Sequence, residues 1–244
     1  MSQAISEFIY FKVKPEVKPE DPASDEGAAL LRVFRATQQQ SGHQSSAWGR
    51  AVEDENTLVW VVDTQSCIHP SAPANTLQSP DWTDARSSTT AAHLEPFLLD
   101  TRQPPTALYT TLNPPISSTD TLTKNPVTEL CCLPFASNLT VHEMRQLNAD
   151  LISFRTALVE QLPQAAGPRS WTMGHVDRPS AVEHVKSPSG HAVVHFIAVG
   201  WDSVEAHKRA KDTKEFVASI APIREKMLST VPGLEMKHVS FQKI

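Results

Sequence analysis

Two stretches of this 244-residue chain open with the same alternation of apolar and polar positions. In the first, Glu7, Ile9 and Phe11 share one face of a strand predicted from about Ser6 to Val13, and Phe8 and Tyr10 share the other. Lys14 to Pro22 is charged and proline-rich, which reads as loop. The period then changes. Leu30, Leu31 and Phe34 recur at helical spacing between Ala28 and Gln39, and Gly42 stops that helix. Strands are predicted from about Ala47 to Val52 and from Thr57 to Val62, joined by a Glu-Asp-Glu-Asn turn. A helix from about Thr90 to Leu99 and a strand from about Thr106 to Leu112 close the unit. Between them, Gln65 to Ser88 is rich in Ser, Thr, Pro and Asn and has no period. It reads either as a lid carrying Trp82 or as a degenerate helical region.

The second stretch repeats this order. Pro126 to Leu133 is a predicted strand with Glu129 in the place of Glu7. Thr140-Val-His-Glu143 is a capping box, in which each side chain satisfies the other's unpaired backbone N–H. The helix behind it places Met144, Leu147, Leu151, Phe154 and Leu158 on one face and ends near Pro163. Strands follow from about Ser170 to Val176 and from Gly190 to Val199. Asp202-Ser-Val-Glu205 opens a second capped helix, and a helical pattern runs to about Thr230. Pro232-Gly233 interrupts it, and Glu235 to Phe241 is the last strand.

Short matches link the two stretches in one order. Ile5 to Phe11 aligns with Val127 to Leu133, Trp48-Gly49-Arg50 with Met173-Gly174-His175, and Val61 to Ser66 with Ala198 to Ser203. They imply a duplicated unit of roughly 115 residues. Each unit reads β-α-β-β-α-β, the ferredoxin-like order. The expected organisation is a first repeat over residues 1–115, a linker over 116–125 within the polar, proline-punctuated stretch from Asn113, and a second repeat over 126–244.

Composition narrows the function. A net charge of −5 argues against nucleic-acid binding. No apolar run approaches the ~20 residues that span a bilayer, and no signal-peptide pattern opens the chain, so a cytoplasmic protein without membrane partners is expected. Cys131 and Cys132 are adjacent and fall on opposite strand faces, which suits neither a disulfide nor a metal pair. No metal signature is present, and His191 and His195 lie ~13 Å apart along an extended strand. With eight glycines, no phosphate loop, no dinucleotide fingerprint and no Gly-x-Ser-x-Gly elbow, no cofactor is expected.

The β-α-β-β-α-β order, together with Glu7-Phe-Ile-Tyr-Phe-Lys-Val-Lys-Pro15, Trp48-Gly-Arg50 and Gly200 to Glu205, resembles the dimeric α+β barrel superfamily. Within it, the chain is similar to tandem antibiotic-biosynthesis-monooxygenase-like proteins of fungi, and it resembles the plant olivetolic acid cyclases in fold. The resemblance covers nearly the whole chain. It implies an α+β fold in which tandem ferredoxin-like repeats form an intramolecular pseudo-dimeric α+β barrel, as a monomer or a homodimer. It also implies a small-molecule pocket between a sheet and its own helices. The superfamily spans monooxygenases, polyketide cyclases, decarboxylases, isomerases, haem-degrading enzymes and proteins of no known chemistry, and a shared fold does not carry a shared activity.

His195 shares a strand face with His191, Val193, Ile197 and Val199, so it is an imidazole amid aliphatic side chains. It is a candidate general base, or else a core histidine bonded to a backbone carbonyl. The resemblance implies a pocket-lining histidine at this position, and Leu58 stands there in the first repeat. Glu129 and Glu7 lie among apolar neighbours, where a carboxylate would have a raised pKa and could take a proton, or would bridge to Arg or Lys. His93 lies four residues before Phe97, whereas cyclases of this group carry a catalytic histidine three residues before a Phe. Arg50 and His175 occupy equivalent positions, as do Tyr109 and His238; these are substrate-binding candidates or strand-end packing. Trp60, Phe154, Trp171 and Met173 are candidate pocket walls or plain core. His207, on the capped helix, is expected at the surface.

The expected function is a cofactor-independent enzyme of fungal secondary metabolism. It would act on a polyketide-like or aromatic small molecule by general acid–base chemistry, through cyclisation, isomerisation, dehydration or decarboxylation. A cofactor-free monooxygenase or a non-catalytic binding or stress-response barrel are the alternatives.

Overall fold

The computed structural model describes residues 3–40, 42–66, 92–119 and 121–244. The chain divides into two compact units, Met1–Thr111 with Gln242–Ile244, and Leu112–Phe241. Both are antiparallel sheets with helices on one face, a mixed α+β fold.

In the first unit, β1 (Gln3–Lys12), β2 (His43–Arg50), β3 (Thr57–Ser66) and β4 (Thr106–Asn113) line up as β2-β3-β1-β4. The C-terminal strand β10 (Gln242–Lys243) adds to the free side of β2. Helix α1 (Asp25–Ala36) starts where Ser24 accepts a hydrogen bond from the Gly27 N–H, with Asp25 and Glu26 in its first turn, where the helix dipole favours negative charge. Its Leu30 and Phe34 are fully buried against Ile9, Phe11, Trp48 and Trp60. Odd-numbered β1 residues therefore face the helix.

The second unit contains a short helix α2 (Ile116–Thr119), then β5 (Val127–Ala136), α3 (Val141–Thr156), β6 (Ser170–Arg178), β7 (Val182–Glu183), β8 (His191–Trp201), α4 (Val204–Lys211), α5 (Lys214–Lys226) and β9 (Lys237–Val239). The strand order is β6-β8-β5-β9, with β7 also paired to β8. Numbered within each unit, both sheets run second-third-first-fourth, the ferredoxin-like arrangement. Both halves of the Thr140–Glu143 capping box are formed. Leu147, Leu151, Phe154 and Leu158 are buried on the sheet, each contributing roughly 2 kcal/mol by removal from water. A π-helical turn, Ala157–Gln161, finishes that helix.

The matched segments occupy the same rungs of the two ladders. Glu7 pairs with Val62 and Glu129 with Val199. Arg50 faces Leu58, and His175 faces His195.

The structure departs from the sequence reading at several places. In place of a helix from Thr90 to Leu99, residues 92–94 are helical and Glu95–Phe97 is a 3-10 turn that contains Pro96, a residue that cannot donate to a helical ladder. The predicted last strand divides, with Lys237–Val239 on β5 and Gln242–Lys243 on β2. Strand β7 and helix α2 were not anticipated. Strand β3 runs on to Ser66, and the rest of the expected loop, Trp82 included, lies outside the described residues.

Candidate active site

Strand alternation on β8 turns Val193, His195, Ile197, Val199 and Trp201 toward the helices of the second unit. Leu133 on β5 and His175 on β6 are the cross-strand neighbours of His195. The Phe135 ring meets its imidazole edge-on at 5.5 Å, and the His175 ring lies 4.0 Å away. His195 is 4% exposed, whereas His175 reaches the surface. Burial, and after it the neighbouring His175, lowers the His195 pKa to about 3, so the ring is neutral at any physiological pH. Its Nε2 is buried without a hydrogen-bond partner. His184 is the contrasting case, a buried histidine whose Nε2 lies 2.7 Å from the Ser229 carbonyl. Nε2 of His195 makes no such backbone bond.

Trp171 sits on β6, on the same helix-facing side as His175, with its Nε1 likewise buried and without a partner. Phe154 of α3 packs edge-on against it at 5.5 Å, and Phe216 of α5 packs against Phe154 at 5.2 Å. Met173, between Trp171 and His175 on that face, is half-buried opposite Ile197. His195, His175, Trp171, Met173 and Phe154 are thus gathered on one side of one sheet.

Glu129 faces the helices as well, four β8 rungs from His195, or ~13 Å along the strand. It belongs to a second cluster. Its Oε2 accepts a hydrogen bond from Trp201 Nε1 at 3.0 Å and lies 3.4 Å from Nε2 of His207. His207 Nδ1 is in turn 2.7 Å from Nε2 of His238, the cross-strand neighbour of Glu129 on β9. The expectation of an exposed His207 fails, since this side chain is 2% exposed. Ala206, His207 and Ala210 form the buried stripe of α4. Their i, i+1, i+4 spacing was the available signal, masked by Lys208, Arg209 and Lys211 around it. Burial, then His238 and Lys211, lowers the His207 pKa to about 3.

The first unit keeps the carboxylate but little else. Glu7, 4% exposed, accepts a 2.8 Å hydrogen bond from Tyr109, its β4 neighbour. Arg50 holds both carboxylate oxygens of Glu20, at 2.8 and 3.0 Å, and the carbonyls of Val17 and Glu55, so its guanidinium ties loops together. Trp60 packs against Phe34 at 4.5 Å, the rings tilted by 32°, with its Nε1 buried and without a partner. His93 is exposed, next to the fully buried Leu94. Of the described cysteines, burial pushes the Cys131 thiol well up, with Glu129 adding to it, and pushes Cys132 up to about 12; neither of these two is a thiolate nucleophile.

Among the described residues no helix is long and apolar enough to cross a membrane. No family model matches the chain, and no curated protein matches it. Solved structures do share its fold. An anthrone oxidase-like protein aligns with 99% of this chain and 91% of its own at 12% identity and a TM-score of 0.60. A protein from Lactobacillus acidophilus NCFM, provisionally described as a monooxygenase, aligns over 98% and 94% at 8% identity and a TM-score of 0.52. A chlorite dismutase mutant from Candidatus Nitrospira defluvii aligns over 98% and 92% at 10% identity and a TM-score of 0.54. The chain is similar to these proteins in fold across nearly its whole length.

Proposed function

We propose that the chain is a small-molecule enzyme working by general acid–base catalysis without a cofactor, with its site on the helix-facing side of the second unit and His195 as the base. The buried, unpartnered Nε2 of His195 carries this reading. Buried polar atoms normally have partners, and one that lacks them calls for a ligand or a water. Trp171 Nε1 is a second such atom on the same sheet face, and Phe154, Phe135 and Met173 offer apolar walls. A neutral ring nitrogen and an indole N–H among aromatic rings suit a flat organic molecule bearing oxygen atoms.

The neutral imidazole takes an acidic C–H or O–H proton on Nε2. Charging a buried ring is costly, but the enolate or phenolate forming beside it offsets that cost, because a nearby opposite charge favours the imidazolium. The indole N–H of Trp171 is a candidate donor to the anion, and His175, at the surface, can hand the proton to water. Cyclisation, isomerisation, dehydration and decarboxylation all proceed from such an anion. A cofactor-free oxygenase, in which the carbanion reacts with oxygen directly, is the second reading. It is favoured by the descriptions of the structural neighbours as a monooxygenase and an anthrone oxidase-like protein. The like strand order of the two units supports their closing as one intramolecular pseudo-dimeric barrel. A place in fungal secondary metabolism, on a polyketide-like substrate, rests on the family resemblance alone.

The test begins with a panel of hydroxyaromatic and β-dicarbonyl compounds, screened by the fluorescence quench that Trp171→Phe removes. Turnover of the compounds bound should then vanish in His195→Ala while the melting temperature changes little. Undiminished turnover in that variant would exclude His195 as the base.

A further inference from the structure

His175 and His195 are directly opposed on antiparallel β6 and β8. Side chains at such positions start from Cβ atoms about 4.5–5.5 Å apart. Here the two rings stand 4.0 Å apart, tilted by 55°. One ring is anchored against Phe135 and Leu133 with a buried nitrogen that has no partner, and the other is at the surface. Metal–nitrogen bonds of about 2.0–2.1 Å set at a right angle need ring nitrogens about 2.9 Å apart, within reach once the exposed His175 ring turns. We propose that His175 and His195 chelate a divalent first-row transition-metal ion across the strand pair, leaving its other positions to water or to an oxygen-bearing ligand.

Two imidazoles suit Cu²⁺, Ni²⁺ or Zn²⁺ and not Mg²⁺ or Ca²⁺, which prefer oxygen. Phe135 and Leu133 bring no rival donor. Among the described residues no three His, Cys, Asp or Glu side chains gather as a closed metal site would require, so the pair forms an open, two-ligand site. The inference goes beyond the acid–base reading, because the ion takes the lone pair that the base uses; a loaded chain cannot use His195 to abstract a proton.

The experiment is calorimetric titration of the purified full chain with Cu²⁺ and, separately, Zn²⁺, with the copper sites followed by EPR. One site per chain is expected, tighter for Cu²⁺ than for Zn²⁺, with hyperfine structure from two nitrogens. His175→Ala, at an exposed position, should weaken Cu²⁺ binding on the order of a hundredfold, since the second ligand's contribution through its high effective concentration is lost. His191→Ala, which removes an exposed histidine from the same strand, should leave it unchanged. Equal affinity in wild type and His175→Ala, or copper bound without two nitrogens, would overturn the proposal. Absent metal binding with turnover lost in His195→Ala would remove the chelate and leave the base standing. Metal binding with turnover intact in His195→Ala would do the reverse.

Discussion

Nδ1 of His207 and Nε2 of His238 are 2.7 Å apart inside the second unit, a separation that holds a single proton between two imidazoles. Trp201 stacks on the same His207 ring at 4.9 Å, and Glu129 Oε2 lies 3.4 Å from its other nitrogen. The network is satisfied when His238 donates to Nδ1 of His207 and Nε2–H of His207 points to the carboxylate. His207 is therefore neutral in the fold, its pKa lowered to about 3 by burial, His238 and Lys211. An unfolded histidine titrates near 6.5. Between those values the unfolded chain holds a proton that the folded chain lacks, so stability rises with pH across the window and is lost as pH falls through it. His195, also lowered to about 3, acts with the same sign. Going from pH 7 to pH 5 should cost on the order of 2 kcal/mol per histidine. Carboxylates with lowered values, such as Asp54 and Asp150, contribute mainly further into acid. Urea unfolding at the two pH values measures the loss, and His195→Phe should remove about half of it. A midpoint unchanged between pH 7 and pH 5 would contradict the neutral assignment.

Glu129 is where that network is most easily broken. Leucine at this position leaves the buried Trp201 N–H and the His207 Nε2–H facing hydrocarbon, and an unsatisfied buried donor costs about 1–3 kcal/mol. Glu129→Leu should destabilise by roughly 2–5 kcal/mol, and Glu129→Gln, which keeps an acceptor oxygen, by about 1 kcal/mol. Denaturant titration of the two variants checks the difference. Equal losses would mean that the hydrogen bonds are not what holds this residue.

Gly27 offers a test of the first unit. Alanine is the better helix former by about 1 kcal/mol, yet a Cβ here would collide with the backbone carbonyl of Lys18 in the loop under α1. That loop carries the buried Val17, whose carbonyl binds Arg50. Gly27→Ala should therefore destabilise by about 1–3 kcal/mol, as overpacking does. A higher melting temperature would show that α1 and the loop are not in contact.

Local periodicity carried much of the architecture. The 4-3-4 spacing from Leu147 to Leu158 became the buried stripe of α3 and the turn that finishes it, and Thr140 and Glu143 cap the helix as their chemistry dictates. The matches of Trp48-Gly-Arg50 with Met173-Gly-His175 fall on corresponding rungs because each rung places a side chain on the same face. Non-local pairing was out of reach. Nothing in Gln242 and Lys243 announces that they pair with Trp48 and Ala47, nearly 200 residues earlier, since short strands carry no register signal of their own. At the candidate site His195 was legible as an imidazole in an aliphatic run. Its separation from Glu129 follows from the β5–β8 register, a non-local pairing. His207 was hidden by the basic residues around a stripe only three residues wide.

The pH dependence of catalysis should carry the mark of His195. A base must be unprotonated, and this one is so above about 3. The acidic limb of kcat/KM, which reports the free enzyme, should therefore lie near or below pH 4 and not at the 6.5 of an ordinary histidine. Initial rates from pH 4.5 to 8 on a substrate found by screening decide it. A limb at 6 to 7 would exclude His195 as the base.

A repeated unit invites the expectation of two sites per chain, but the described residues of the first unit do not repeat the histidine pair on the matching rungs. Leu58 occupies the rung of His195, and the Arg50 guanidinium, on the rung of His175, is already bound to Glu20, Val17 and Glu55. Trp60 Nε1 is left as an unpartnered atom there, packed under Phe34 with no titratable partner on its cross-strand rungs, Ile9 and Trp48. A ligand that depends on the imidazole should bind with one equivalent per chain. His195→Ala should reduce binding by tenfold or more, a loss of about 1.4 kcal/mol. Leu58→His, which restores the ring at the equivalent position, should not recover it, because Phe34 and Trp60 already fill the space above that rung. Calorimetric stoichiometry answers the question directly: two equivalents in the wild type would reveal a second site, and one equivalent bound with unchanged affinity by His195→Ala would show that the site does not depend on the imidazole.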